Sequence, residues 1–155
     1  MSTTDNPGAA VRPPLLYLAA LAAGLVIDHA LALPVAMGEI WLRLGGVALL
    51  LAGAALMAWA IACFRRAGTN VPTVLPATAL VTTGPYRFSR NPIYLGMTAI
   101  YIGLALAFAS PWAILPLPAV LAVMEFGVIR REECYLEEKF GDAYRAYRLG
   151  VRRWV

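Results

Sequence analysis

The stretch Gly84-Pro85-Tyr86-Arg87-Phe88-Ser89-Arg90-Asn91-Pro92-Ile93-Tyr94-Leu95-Gly96 decides how this chain is read. Asn91-Pro92 is a helix-start signal, since Asn accepts from the first free N–H groups and proline suits the first helical position. Proline also pushes the chain before it towards an extended conformation, so Ser89 and Arg90 should arrive as a strand-like lead-in. The helix then aims its positive dipole end and unpaired N–H groups at Arg87 and Arg90. Two readings are equally good at this level: an anion site, or a capped helix with arginines facing lipid phosphates.

What surrounds this block is apolar. The 155 residues are 61% hydrophobic and 14% charged, with a mean hydropathy of +0.68. Soluble domains carry about a quarter of their residues as charges. The few charges here sit in short blocks between runs close to the roughly 20 residues that cross a bilayer. The expected fold is all-α: an integral membrane bundle of about four spans, near residues 14–33, 40–64, 92–109 and 112–129. Residues 1–12 read as a disordered tail, and 13–155 as a single membrane-embedded domain. Pro116 and Pro118 should kink or delay the last span.

Of the 13 basic residues, only Arg43 lies outside the N-terminal tail, the middle loop and the C-terminal tail. Basic residues concentrate on the cytoplasmic side of membrane proteins, so the net charge of +4 reads as topology and not as nucleic-acid binding. Both termini are then cytoplasmic, and the compact size suits a bacterial inner membrane. Cys63 and Cys134 lack metal-ligand spacing, and no metal is expected.

Two segments should not cross. Residues 67–91 carry prolines, glycines and apolar residues such as Val71, Val74, Leu75, Leu80 and Val81 without a period. Irregular backbone of this kind must be covered by protein or line a wet cavity. Residues 130–149 instead show an amphipathic pattern: Leu136, Phe140, Tyr144, Tyr147 and Val151 recur at helical spacing. This cytoplasmic helix should continue from the fourth span and lay its stripe on the membrane surface or on the middle loop.

Glu132-Glu133 is the second constellation. A hairpin at Ser110-Pro111 returns the fourth span beside Asn91, so the acids should neighbour Arg90 although forty residues away. Paired anion and cation sites suit a zwitterionic ligand; the alternative is internal salt bridging, worth little if exposed. Glu125 lies about one turn inside the span, where carboxylates are expensive and functional candidates by default, although snorkelling or an arginine partner is as good a reading.

Taken together, Gly84-Pro85-Tyr86-Arg87, Arg90-Asn91-Pro92-Ile93-Tyr94-Leu95-Gly96 and Glu132-Glu133 with Leu136, Phe140-Gly141, Tyr144 and Tyr147 resemble a pair of motifs. They are those of the isoprenylcysteine carboxyl methyltransferase and phospholipid methyltransferase superfamily. The resemblance covers roughly residues 65–153. It implies an S-adenosylmethionine site at the cytoplasmic face, bound by Gly84, Tyr86, Arg90, Asn91, Pro92, Tyr94, Gly96, Glu132 and Glu133. Arg90 and Glu125 are the candidate catalytic residues, and the acceptor is a lipophilic small molecule or lipid. In this chain Asn91 stands where eukaryotic carboxyl methyltransferases typically have histidine, and Arg152 where many relatives have proline. An NADPH-dependent sterol-reductase-like enzyme and a non-catalytic membrane adaptor are the alternatives.

Overall fold

The computed structural model describes residues 7–31, 39–71 and 75–155. Its elements are α1 (Pro13–Ala30), α2 (Glu39–Arg66), a 3₁₀ turn (Gly84–Arg87), α3 (Pro92–Ala107), α4 (Pro111–Ile114), α5 (Leu117–Met124), a π-helical turn (Glu125–Ile129), α6 (Arg130–Phe140) and α7 (Asp142–Gly150). The described residues contain no strand. The expected end of the first span at Leu33 and the loop residue Val74 lie outside the described residues.

Three helical segments are long and apolar enough to cross a membrane: Pro13–Ala30, Ile40–Arg66 and Pro111–Phe140. The remaining apolar helix, Pro92–Ala107, has 16 residues, somewhat less than the ~20 that span a bilayer upright. Leu15, Leu18, Val26, Leu51, Leu115 and Phe126 are all exposed. In water these would be costly, but beside lipid tails they are the outer surface. The protein is an integral membrane protein.

Because lipid tails are as apolar as leucine, the helices must associate by close packing. Helices α2 and α3 do so through two glycine crossings. A Cβ added at Gly46 would stand 2.7 Å from the Gly103 carbonyl oxygen, and one at Gly53 would stand 2.8 Å from that of Gly96. The two pairs lie seven residues apart on each helix, which keeps them on one face of an antiparallel contact. Gly24 plays the same part where α1 meets the backbone of Ala113.

The second half of the core joins α1, α3 and the α4–α5 segment through Tyr17, Leu21, Tyr101, Ala105, Ala113, Val120 and Met124. Its polar tips are satisfied internally. Tyr101 donates to the Ala113 carbonyl at 2.6 Å, and the Tyr17 hydroxyl pairs with Thr98 Oγ1 at 2.8 Å. The turn at Ala109-Ser110 carries the one non-glycine residue of positive φ among those described, and Ser110 Oγ caps α4 by accepting from Ala113 N–H. Pro116 falls in the break between α4 and α5, as a residue without an N–H should.

Two local expectations are corrected. Asn91 makes no side-chain cap for α3; its amide instead donates to the Arg153 carbonyl at 3.0 Å. The expected single helix over 130–149 is two, broken at Gly141, whose φ of +53° is one that L side chains rarely adopt. The aromatic stripe faces protein. Tyr144 is buried, and the Tyr147 hydroxyl donates to the Tyr86 carbonyl at 2.7 Å.

Candidate active site

The site forms where four pieces of chain converge at the arginine-rich end of the bundle. The first is the middle loop, which satisfies its own backbone: Thr69 Oγ1 accepts from Thr78 and Ala79 N–H, and Asn70 donates to the Pro76 carbonyl. Tyr135 of α6 accepts from Ala77 N–H at 3.0 Å and pins this loop to the helix. The second is the 3₁₀ turn. Gly84 has a φ of +63°, and a Cβ there would lie 2.6 Å from Cys63 Sγ. Only glycine lets Tyr86 pack into its place beside Phe64, with ring centroids 5.2 Å apart. Burial raises the Tyr86 hydroxyl above its ordinary range, so it stays neutral.

The third piece is the start of α3 and the fourth is the run from the π turn into α6. π turns recur at functional sites, where one extra residue rotates the next stretch of helix about its axis. Here that rotated stretch carries Glu132 and Glu133. Tyr94 donates to Glu132 Oε1 at 2.5 Å. Glu133, nearly buried, pairs with Arg90 at 3.2 Å and with Arg153 through two bonds of 3.0 and 2.6 Å. Arg153 also donates to Glu125 Oε1, which accepts from Arg130 Nε at 3.2 Å as well. The hydrogen bond to Glu133 is the first cause holding the Arg153 guanidinium above its usual range. Tyr144, packed nearby, is pushed up to about 12, by burial first and by Glu133 second.

Among these residues opens a cavity of about 100 Å³, lined by Phe64, Asn70, Tyr86, Asn91, Tyr94 and Glu132, with Tyr135, Leu136 and loop apolars completing it. It is smaller than the ~300–1,000 Å³ of a typical ligand pocket, so a nucleoside-sized ligand would extend through its mouth. Its chemistry is one carboxylate ringed by aromatic faces and two amides, a donor set that suits a positive charge.

The candidate residues thus divide. Tyr86, Asn91, Tyr94 and Glu132 line the cavity. Arg90, Glu133 and Glu125 form a charge network beside it. Pro92 is fully buried. Gly84 packs on Cys63, and Gly96 faces Gly53 and Met57 of α2. Sequence reasoning missed Phe64, Asn70, Tyr135 and Arg153. Arg153 carried one faint signal: Glu125, Glu132 and Glu133 crowd one helix end and need more counter-charge than Arg90 alone.

Two comparisons bear on this geometry. An uncharacterized protein of Haemophilus influenzae is 40% identical over 63 residues, which is 41% of this chain and all of that protein. The family model "Phospholipid methyltransferase" matches residues 41–143, two thirds of the chain, including the cavity-lining residues from Phe64 to Leu136. The chain therefore belongs to the phospholipid methyltransferase family, within the isoprenylcysteine carboxyl methyltransferase type of membrane methyltransferases.

Proposed function

We propose that the protein transfers a methyl group from S-adenosylmethionine to a lipophilic acceptor, the carboxylate of an isoprenylated thiol-type acid or a lipid amine. The reaction takes place at the cytoplasmic face of the membrane, bacterial and inner in our reading, with both termini on that side. The observation that carries the proposal is the Glu132 carboxylate, held by Tyr94 at the wall of an aromatic cavity. When bound, the donor supplies an electrophilic methyl group on a sulfonium, and also brings an ammonium and a carboxylate.

The residues present fit those three charges. Glu132 offers its carboxylate to a cation, and charge-assisted bonds of this kind are worth ~1.5–3 kcal/mol each. Phe64, Tyr86 and Tyr135 offer ring faces to the sulfonium. Asn91 and Asn70 offer amides at the same wall. Methyl transfer is an in-line displacement: a lone pair of the acceptor forms the new bond to carbon, and the carbon–sulfur pair leaves with sulfur. The protein's work is then alignment and exclusion of water. A carboxylate acceptor needs no base, and Arg90 would orient it. An amine acceptor must first lose a proton, and Glu132, which lines the cavity, is the better-placed recipient, whereas Glu125 is tied to Arg153 and Arg130.

Calorimetric titration of the detergent-purified protein with S-adenosylhomocysteine tests the reading, together with labelled methyl transfer into a lipid extract. Glu132→Ala and Arg90→Ala should each lower binding or turnover at least tenfold while thermal melting stays cooperative. Normal binding and turnover in both variants would remove these two residues from the site, and no binding by the wild-type protein would remove the donor.

A further inference from the structure

The family match ends at residue 143, yet the chain beyond it reaches back into the site. The backbone of the last residues grips the lead-in to α3. The Arg152 carbonyl accepts from Arg90 N–H at 2.9 Å, and the Arg153 carbonyl accepts from Asn91 Nδ2 at 3.0 Å and Ser89 Oγ at 3.3 Å. The Arg153 side chain grips the opposite wall. Its guanidinium takes both oxygens of Glu133 in a fork and reaches Glu125 with its remaining nitrogen. One residue therefore joins the start of α3 to the first residue of the π turn and to the first turns of α6.

The paired acids are placed by this grip. Both Glu133 oxygens are engaged by the protein's own arginines, Oε1 by Arg153 and Arg90 and Oε2 by Arg153. A two-bond fork fixes the plane of a carboxylate in a way that a single ammonium cannot. Successive helical residues point about 100° apart, so holding Glu133 in this direction turns Glu132 towards Tyr94 and the cavity. The two acids, alike in sequence, are thereby given different tasks.

We infer that Arg153 is a positioning residue: by clasping Glu133 and Glu125 from the C-terminal tail, it leaves Glu132 as the carboxylate presented to the ligand. The inference rests on the proposed methyl-donor site. Its test has one arm with ligand and one without. Titration with S-adenosylhomocysteine should show affinity at least tenfold weaker in Arg153→Ala and intermediate in Arg153→Lys, which keeps the charge but not the fork. Glu133→Gln should weaken binding comparably, and the Arg153→Ala/Glu133→Gln double variant should be no worse than either single, because both remove one contact.

In the ligand-free arm, carboxypeptidase digestion of the detergent-solubilised protein should trim the tail of Arg153→Ala and Glu133→Gln at least tenfold faster than that of wild type. Unchanged trimming overturns the clasp, as does binding by Arg153→Ala within twofold of wild type. Additive losses in the double variant overturn the coupling to Glu133. Should the wild-type protein fail to bind S-adenosylhomocysteine, the functional reading falls, while the digestion arm still decides the clasp. If Arg153→Ala does not fold, Arg153→Lys and Glu133→Gln carry both arms.

Discussion

At the scale of single residues, the site depends on how buried charges are shared. Glu133 is nearly buried, and a carboxylate so placed without its arginines would be strongly destabilising, by about 3–5 kcal/mol when one partner of a buried pair is removed. Glu132 has a different neighbour. Its 2.5 Å bond from Tyr94 comes from a hydroxyl, a partner that aims the acid without bringing a counter-charge of its own. Tyr94→Phe removes that bond alone. Hydrogen bonds to charged groups are worth ~1.5–3 kcal/mol, so S-adenosylhomocysteine affinity should fall about tenfold or more if Tyr94 aims the acid. Calorimetry on this variant checks it, and unchanged affinity would show that Glu132 needs no aiming. Glu132 and Glu133 were both legible as site candidates in the sequence. Their division of labour was not, since adjacent glutamates carry no mark of which one an arginine from residue 153 will reach.

At the scale of elements, the α2–α3 pair carries the site on glycines. Gly46, Gly53, Gly96 and Gly103 let two backbones touch, and a side chain at any of them would meet backbone atoms within 2.8 Å. Overpacking typically costs ~1–3 kcal/mol, and backbone cannot yield as a flexible side chain does. Gly103→Leu should therefore lower the melting temperature of the detergent-solubilised protein by several degrees, whereas Gly45→Leu, at a position with open space around its Cβ, should leave it nearly unchanged. Scanning fluorimetry of the two variants separates them. Gly96, a cofactor ligand by resemblance, takes a packing task from its place against α2. The helices themselves were legible from apolar runs and prolines. The breaks at Gly141 and at the π turn were not, because a glycine inside an amphipathic pattern and one inserted residue leave the period almost intact.

At the scale of the whole molecule, the arginine-rich end is held together by neutral tyrosines as much as by ion pairs. Tyr86, Tyr144 and Tyr147 lie outside the spans, and burial raises all three above the ordinary value near 10. A group whose folded pKa is raised contributes stability that is fully present below its unfolded pKa and lost as pH climbs through the folded one. Stability should therefore hold up to about pH 10 and decline above it, with Tyr144 lost at about 12. Melting temperatures measured in detergent from about pH 8 to 12 check this, and Tyr144→Phe should weaken the alkaline decline. A profile flat to about pH 12 would mean that these hydroxyls are free to ionise in the folded protein.

The sequence by itself determined the membrane-embedded helical class, the apolar helices, the likeness to membrane methyltransferases and the meeting of Arg90 with one of the paired acids, Glu133. Each of these rests on local composition or on spacing along one hairpin. Only the tertiary structure decided which acid faces the cavity, that Asn91 ties down the tail and does not cap α3, and that Arg153 bonds both Glu133 and Glu125. Those outcomes depend on contacts between segments 20 to 62 residues apart, and packing, unlike periodicity, is not written in any one stretch of the chain.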